Sequence, residues 1–203
     1  MTKVKFCGLK RLCDIAWANE LEPDFVGFVF AGAKRRVDAD QARLLRSELD
    51  AEIPAVGVFV NEDPARIADL VEAGIIQLVQ LHGQESTAYI HNLRRWVDVP
   101  LIQAFSIQNA ADIQRALESP ADYILLDHGK GGTGEAFDWS LLQHIKRPYF
   151  LAGGLTPENA AQAAALHPFA LDVSSGIETD GVKDRKKMMR FMANVRHEEE
   201  NNE

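Results

Sequence analysis

Two side chains in this sequence could move protons on opposite sides of a small substrate: Cys7, which closes the run Lys3 to Cys7, and Asp127, which closes the run Tyr123 to Asp127. Taking a carbon-bound proton needs a base and releasing a ring oxygen needs an acid, each worth about 10²–10⁴ in rate. Both residues also have plain structural readings. A cysteine can be a small buried hydrophobe, and an acid at a strand end can cap a helix or pair with a cation. Arg35, within Lys34-Arg35-Arg36, could grip a carboxylate in its guanidinium fork or belong to a solvated basic loop. His82 could hydrogen-bond a substrate or only satisfy backbone groups. Asp172 could face a substrate or form a buried pair with Lys5.

Three glycine-bearing segments come late in the chain: Gly131-Gly132-Thr133-Gly134, Gly153-Gly154 and Ser174-Ser175-Gly176. Glycine lets backbone N–H groups approach an anion closely, so Gly132, Gly134, Gly153, Gly154, Ser175 and Gly176 are candidate phosphate ligands. One such pair alone would read as a tight turn needing positive φ. Three, each directly after an apolar run, suit an anion site better.

These residues need a frame that brings chain ends together. Short β-branched or aromatic runs at 3–7, 25–30, 55–60, 77–81, 101–105, 123–127, 149–152 and 170–173 alternate with amphipathic segments. Asp63-Pro64 opens a helix closing at Gly74, and Thr156-Pro157 is expected to open another running to Leu166, since a cap residue before Pro marks a helix start. The last helix, from about Lys183, carries Met188, Phe191, Met192 and Val195 on one stripe. Eight such units imply an α/β chain folded as a single (β/α)₈ TIM barrel over residues 1–197, with a frayed acidic tail at 198–203; an open flavodoxin-like sheet usually needs fewer strands.

Strand parity adds to this, because alternate residues face opposite sides. Lys5 and Cys7, Gln80 and His82, Leu125 and Asp127, and Asp172 and Ser174 share one side, whereas Val4, Phe6, Val79, Leu81, Ile124, Leu126, Leu171 and Val173 make the other side apolar. The polar side points into the barrel, and its last members lie at the C-terminal strand ends, where barrel enzymes keep their active sites. Cys13, near Ile15 and Trp17, reads as packing; Asp184 to Lys187 read as a solvated helix face.

Composition narrows the partners. The 203 residues hold 22 Lys+Arg against 30 Asp+Glu, a net charge of −8, which gives no long-range pull toward nucleic acid or an anionic membrane. No apolar run is long enough for a signal peptide or a membrane span, and two cysteines six apart make neither a disulfide framework nor a zinc pattern. The reading is a cytoplasmic protein with free thiols.

The segments Lys5-Phe6-Cys7-Gly8-Leu9, Gly27-Phe28-Val29-Phe30, Gln80-Leu81-His82-Gly83, Leu126-Asp127, the Gly131–Gly134 loop with Phe137-Asp138-Trp139, Ala152-Gly153-Gly154-Leu155 with Glu158-Asn159, and Asp172 to Glu178 follow in an order and spacing that resembles the phosphoribosylanthranilate isomerase family of tryptophan biosynthesis. The resemblance implies an Amadori rearrangement of N-(5-phosphoribosyl)anthranilate to 1-(2-carboxyphenylamino)-1-deoxyribulose 5-phosphate. It implies Asp127 as the acid that protonates the furanose oxygen and Cys7 as the base that takes the C2 proton. Arg35 is similar to the arginine that holds the anthranilate carboxylate, Asp172 to an acid near the substrate amine, and the glycine segments to a phosphate grip. His82 joins them as a substrate contact. No metal or organic cofactor is implied, and the partner is a small phosphorylated substrate, the chain being a monomer or weak homodimer.

Departures from the pattern matter. Ala33-Lys34-Arg35 stands where the family often has Ser-Pro-Arg, so Arg36 is an alternative to Arg35 for reaching the site, and Glu135 is expected to point away from the phosphate. Other readings are the related aminoaldose isomerase of histidine biosynthesis, which uses an aspartate where Cys7 stands and has a phosphate grip in each half, and a non-catalytic phosphate-ester-binding barrel. Indoleglycerol-phosphate synthase would need strand-end lysines, and a metal-dependent epimerase would need more histidines than His82.

Overall fold

The computed structural model describes residues 2–128, 139–142 and 145–200. Eight parallel strands close into a barrel in sequence order: β1 (Lys3–Cys7), β2 (Phe25–Val29), β3 (Ala55–Phe59), β4 (Leu78–Leu81), β5 (Leu101–Ile107), β6 (Tyr123–His128), β7 (Tyr149–Ala152) and β8 (Ala170–Val173). The sheet closes where β1 meets β8, with Lys5 opposite Asp172. Strand limits differ from the sequence reading by a residue or two: β2 and β3 end one residue earlier, while β5 and β6 run two and one residues further.

Helices α1 (Leu12–Leu21), α2 (Ala39–Glu48), α3 (Pro64–Glu72), α4 (Thr87–Leu93) and α5 (Ala110–Leu117) cover the outside, followed by α6 (Ala160–Ala164) and α7 (Arg185–Glu200). Between β6 and β7 the described residues hold only a 3₁₀ turn, Trp139–Leu142. Starts follow local chemistry. Asp63 accepts from the Ala65 N–H with Pro64 at the first helical position, and Asn109 and Asp112 form a reciprocal cap on α5.

The expected helix start at Thr156-Pro157 is wrong. Asn159 accepts from the Thr156 N–H and donates to the Gly154 carbonyl, so the chain turns until residue 159 and α6 is only five residues long. A side chain that satisfies two loop backbone groups holds the segment out of the helix. Cys13 is also not packing: it is exposed, and Asp14 is buried in its place, accepting from the Lys10 and Arg11 N–H groups.

Parity sorts the core into two apolar bodies. Val4, Phe6, Val79, Leu81, Ile124, Leu126, Leu171 and Val173 lie between barrel and helices, joined by Met188, Phe191, Met192 and Val195 of α7. Inside, Phe25, Val56, Leu78, Ile102, Leu125 and Phe150 fill the lower barrel, with Lys3 over the Phe25 and Phe169 rings at 5.6 and 5.0 Å. Apolar filling ends there, leaving the upper layers to polar groups. Among the described residues no helix is long and apolar enough to cross a membrane.

Candidate active site

A cavity of roughly 590 Å³ opens at the C-terminal end of the barrel, and Cys7, Arg35, His82, Asp127, Asp172, Gly153, Gly154 and Ser175 all line it. The sequence-derived candidates therefore converge. Gly176 stands one residue outside the lining, while Gly132, Gly134 and Glu135 lie outside the described residues. Arg36 is exposed and is not part of the wall, so Arg35 is the arginine that reaches it.

The β1 wall is a network of charge. Lys5 is fully buried beneath Cys7, its ammonium donating to Asp172 Oδ2 at 2.9 Å and to Gln80 Oε1 at 2.7 Å. Burial alone would push the Lys5 pKa down, but Asp172 and Cys7 outweigh it and hold the group protonated. The pairing of Asp172 with Lys5 and its place in the cavity wall are both realised. Oδ2 serves Lys5, and the buried Oδ1 has no hydrogen-bond partner, an acceptor ready for an N–H.

Cys7 sits at the top of β1 against Gly27, where a Cβ would come within 2.8 Å of its Sγ. Burial pushes the Cys7 thiol up; the Lys5 and Lys183 ammonium groups pull it back only partly, so it rests as a thiol at neutral pH.

Glu178 and Lys183 are the functional neighbours that sequence reasoning missed. Glu178 accepts from Arg35 Nε at 2.6 Å and Nη2 at 2.9 Å, and from Lys183 Nζ at 2.9 Å. Burial favours the neutral acid, yet Arg35 and Lys183 together bring its pKa down to about 2. The two residues face each other across a small hairpin, Glu178–Thr179 with Val182–Lys183, turned by Asp180 and Gly181 at φ 52° and 78°. An Asp-Gly pair between short runs is a hairpin signal in sequence. With Nε and one Nη2 hydrogen given to Glu178, Arg35 keeps only its end-on edge, Nη1 and the second Nη2 hydrogen, for another carboxylate.

The phosphate candidates occupy the β7–β8 exits. Gly153 and Gly154 both line the cavity and have positive φ, 85° and 64°, a backbone conformation that favours glycine. A Cβ on Gly176 would overlap the Leu155 carbonyl oxygen, so glycine there lets the two exits close on each other. Ser174 Oγ donates to the Cys7 carbonyl, and Lys183 Nζ to the Ser174 carbonyl, tying this wall to β1.

Across the mouth, three strands from Cys7 around the ring, Asp127 is 9% exposed and His82 Nε2 stands 3.8 Å from its Oδ2. His82 Nδ1 is 2.9 Å from Gln80 Nε2.

The sequence profile described as N-(5'-phosphoribosyl)anthranilate (PRA) isomerase matches residues 4–194. A relative from Lachnoclostridium phytofermentans, named N-(5'-phosphoribosyl)anthranilate isomerase, is 45% identical over 208 residues, covering 94% of this chain and 95% of its own. A structure of phosphoribosyl anthranilate isomerase in complex with reduced 1-(o-carboxyphenylamino)-1-deoxyribulose 5-phosphate superposes with a TM-score of 0.85 at 37% identity, covering 97% and 100% of the two chains. Another, of monomers of the dimeric enzyme from Thermotoga maritima, gives 0.84 at 37% identity with the same coverage.

Proposed function

The chain belongs to the N-(5'-phosphoribosyl)anthranilate isomerase family and is an isomerase of tryptophan biosynthesis, and from that premise we propose which of its side chains carry the Amadori rearrangement. The observation that supports the assignment is the placing of Cys7 and Asp127 on opposite walls of one cavity that also presents Arg35, Asp172, Gly153, Gly154 and Ser175.

Asp127 gives its proton to the furanose oxygen as the C1–O bond breaks, and the anthranilate nitrogen lone pair forms the C1=N bond of a Schiff base. Cys7, as thiolate, then takes the C2 proton; the C2–H electrons form C1=C2 and neutralise the nitrogen, giving an enolamine that tautomerises to the ketose. The end-on edge of Arg35 holds the anthranilate carboxylate, and Asp172 Oδ1 accepts from the substrate amine. His82 is a polar contact beside Asp127. Gly153, Gly154, Ser175 and the turn at Gly176, with Gly132 and Gly134, bind the phosphate. Binding energy from that remote group can be used at the reacting carbon.

In this reading the thiolate is the scarce form, since burial raises the thiol. Lys5 and Lys183 keep it accessible by stabilising the anion. The enzyme works in the cytoplasm, as a monomer or a weak homodimer, on a small phosphorylated substrate and without nucleic acid or membrane as a partner.

The test is the loss of anthranilate-type fluorescence on adding phosphoribosylanthranilate generated in situ. Cys7→Ala and Asp127→Asn are each expected to lose at least about 10²-fold in turnover while still binding a reduced product analogue. Turnover within tenfold of wild type in either variant would remove that residue from its role. Binding of phosphate esters by the wild type without turnover would favour a non-catalytic barrel.

A further inference from the structure

Gln80 lies on β4, midway between the Lys5 ammonium and the His82 ring, and the chemistry of its two neighbours leaves its amide one orientation. An ammonium has hydrogens and no acceptor. The atom 2.7 Å from Lys5 Nζ is therefore the amide oxygen, and the atom 2.9 Å from His82 Nδ1 is the NH₂. That nitrogen donates, so Nδ1 must accept and the single proton of the neutral imidazole sits on Nε2. Nε2 faces Asp127 Oδ2 at 3.8 Å. The relay Asp172–Lys5–Gln80–His82 thus crosses the barrel and ends with an N–H aimed at the acid.

We infer that Gln80, held by Lys5, is a positioning residue for the isomerisation: it fixes the Nε2–H tautomer of His82 so that the carboxylate left when Asp127 gives up its proton meets a donor. The inference rests on Asp127 being the acid. At 3.8 Å the contact is too long for a hydrogen bond, and catalytic hydrogen bonds commonly tighten when substrate binds. The opposite tautomer would present a lone pair to a newly formed carboxylate, making proton release harder. Lys5 is fully buried and Gln80 1% exposed, so neither group can exchange its partner for water.

The test combines ring-nitrogen NMR of ¹⁵N-histidine-labelled protein with steady-state kinetics, the His82 signals being assigned from their loss in His82→Gln. The wild type is expected to show His82 neutral with Nδ1 unprotonated. In Gln80→Glu one carboxylate oxygen accepts from Lys5 and the other from the ring, so the proton moves to Nδ1; kcat falls about tenfold with KM within twofold. Gln80→Met, which neither donates nor accepts, is expected to mix the two tautomers and lower kcat in the same direction, and it serves if Gln80→Glu does not fold. Adding Gln80→Glu to His82→Gln is expected to cost nothing further.

A wild-type ring protonated on Nδ1, or a tautomer change that leaves kcat untouched, overturns the inference. So does an equal loss from Gln80→Glu with and without the imidazole. Asp127→Asn separates the two levels: if it retains turnover while the tautomers behave as stated, the acid assignment has failed and the relay loses its catalytic purpose; if it loses turnover while the tautomers do not, only the relay has failed.

Discussion

The two walls of the cavity are built differently. Around Cys7, five buried or mostly buried charged groups make two sets bonded over 2.6–2.9 Å, Lys5 with Asp172, and Glu178 with Arg35 and Lys183. Across the mouth, the His82 ring beside Asp127 is 35% exposed and stands 3.8 Å from the carboxylate. A base that must be kept from water, yet must form an anion, needs fixed counter-charges that cannot be desolvated a second time. An acid that must follow an oxygen as its bond breaks gains from a partner able to close in. Stability should therefore live on the Cys7 wall, and turnover should depend on both.

Substitutions on the first wall are the strongest way to break that contrast. Lys5→Met strands the Asp172 carboxylate in the barrel and is expected to lower unfolding free energy by about 3–5 kcal/mol, whereas Asp127→Asn, which strands no buried charge, is expected to cost less. Urea denaturation of the two variants checks this, and equal losses would erase the distinction.

Glu178 gives the next effect, with a sign set by its lowered pKa. A carboxyl at about 2 in the folded protein contributes fully above the ordinary value of about 4.3 and loses its contribution as pH falls toward 2. The size is about 3 kcal/mol. Glu178→Gln should flatten the acid limb of stability between those pH values and raise KM, because Arg35 loses the group that orients it. An unchanged acid limb would show that the pair is not holding the wall.

A kinetic measurement sharpens the comparison further. Because the Cys7 thiol is raised by burial, its thiolate fraction grows as pH increases above neutrality, and kcat/KM should climb with it by up to about tenfold per pH unit. Gln80→Met, which adds no charge beside Lys5, should lower kcat through His82 without moving that limb. The smallest expected effect is Cys13→Ser: exposed on α1, it should alter stability by no more than about 0.5 kcal/mol and leave the fluorescence assay as it is.

Much of the molecule was readable from residue order. The eight apolar runs became the eight strands, and the inward parity of Lys5, Cys7, Gln80, His82, Asp127, Asp172 and Ser174 held, because side-chain alternation is a property of any extended strand. Helix starts were readable where the cap bonds its own helix, as at Asp63. Thr156-Pro157 misled because Asn159 bonds loop atoms instead. Cys13 misled because α1 turns Asp14, not its neighbour, toward the barrel so that it can cap the Lys10–Arg11 backbone.

What lay beyond the sequence is the pairing of charges distant along the chain. Arg35 and Glu178 are 143 residues apart and Lys5 and Asp172 are 167 apart, yet both pairs bond directly. Nothing local selects Glu178 over the other acids, and Arg36 is the same residue type as Arg35; only closure of β8 onto β1 brings these partners together. By itself the sequence determined the strand order, the polar interior and the candidates for acid and base, all of which follow from periodicity and residue type. The tertiary structure alone decided which edge of Arg35 remains for a substrate and which Asp172 oxygen lacks a partner, since each depends on hydrogen bonds between segments that meet only in the closed barrel.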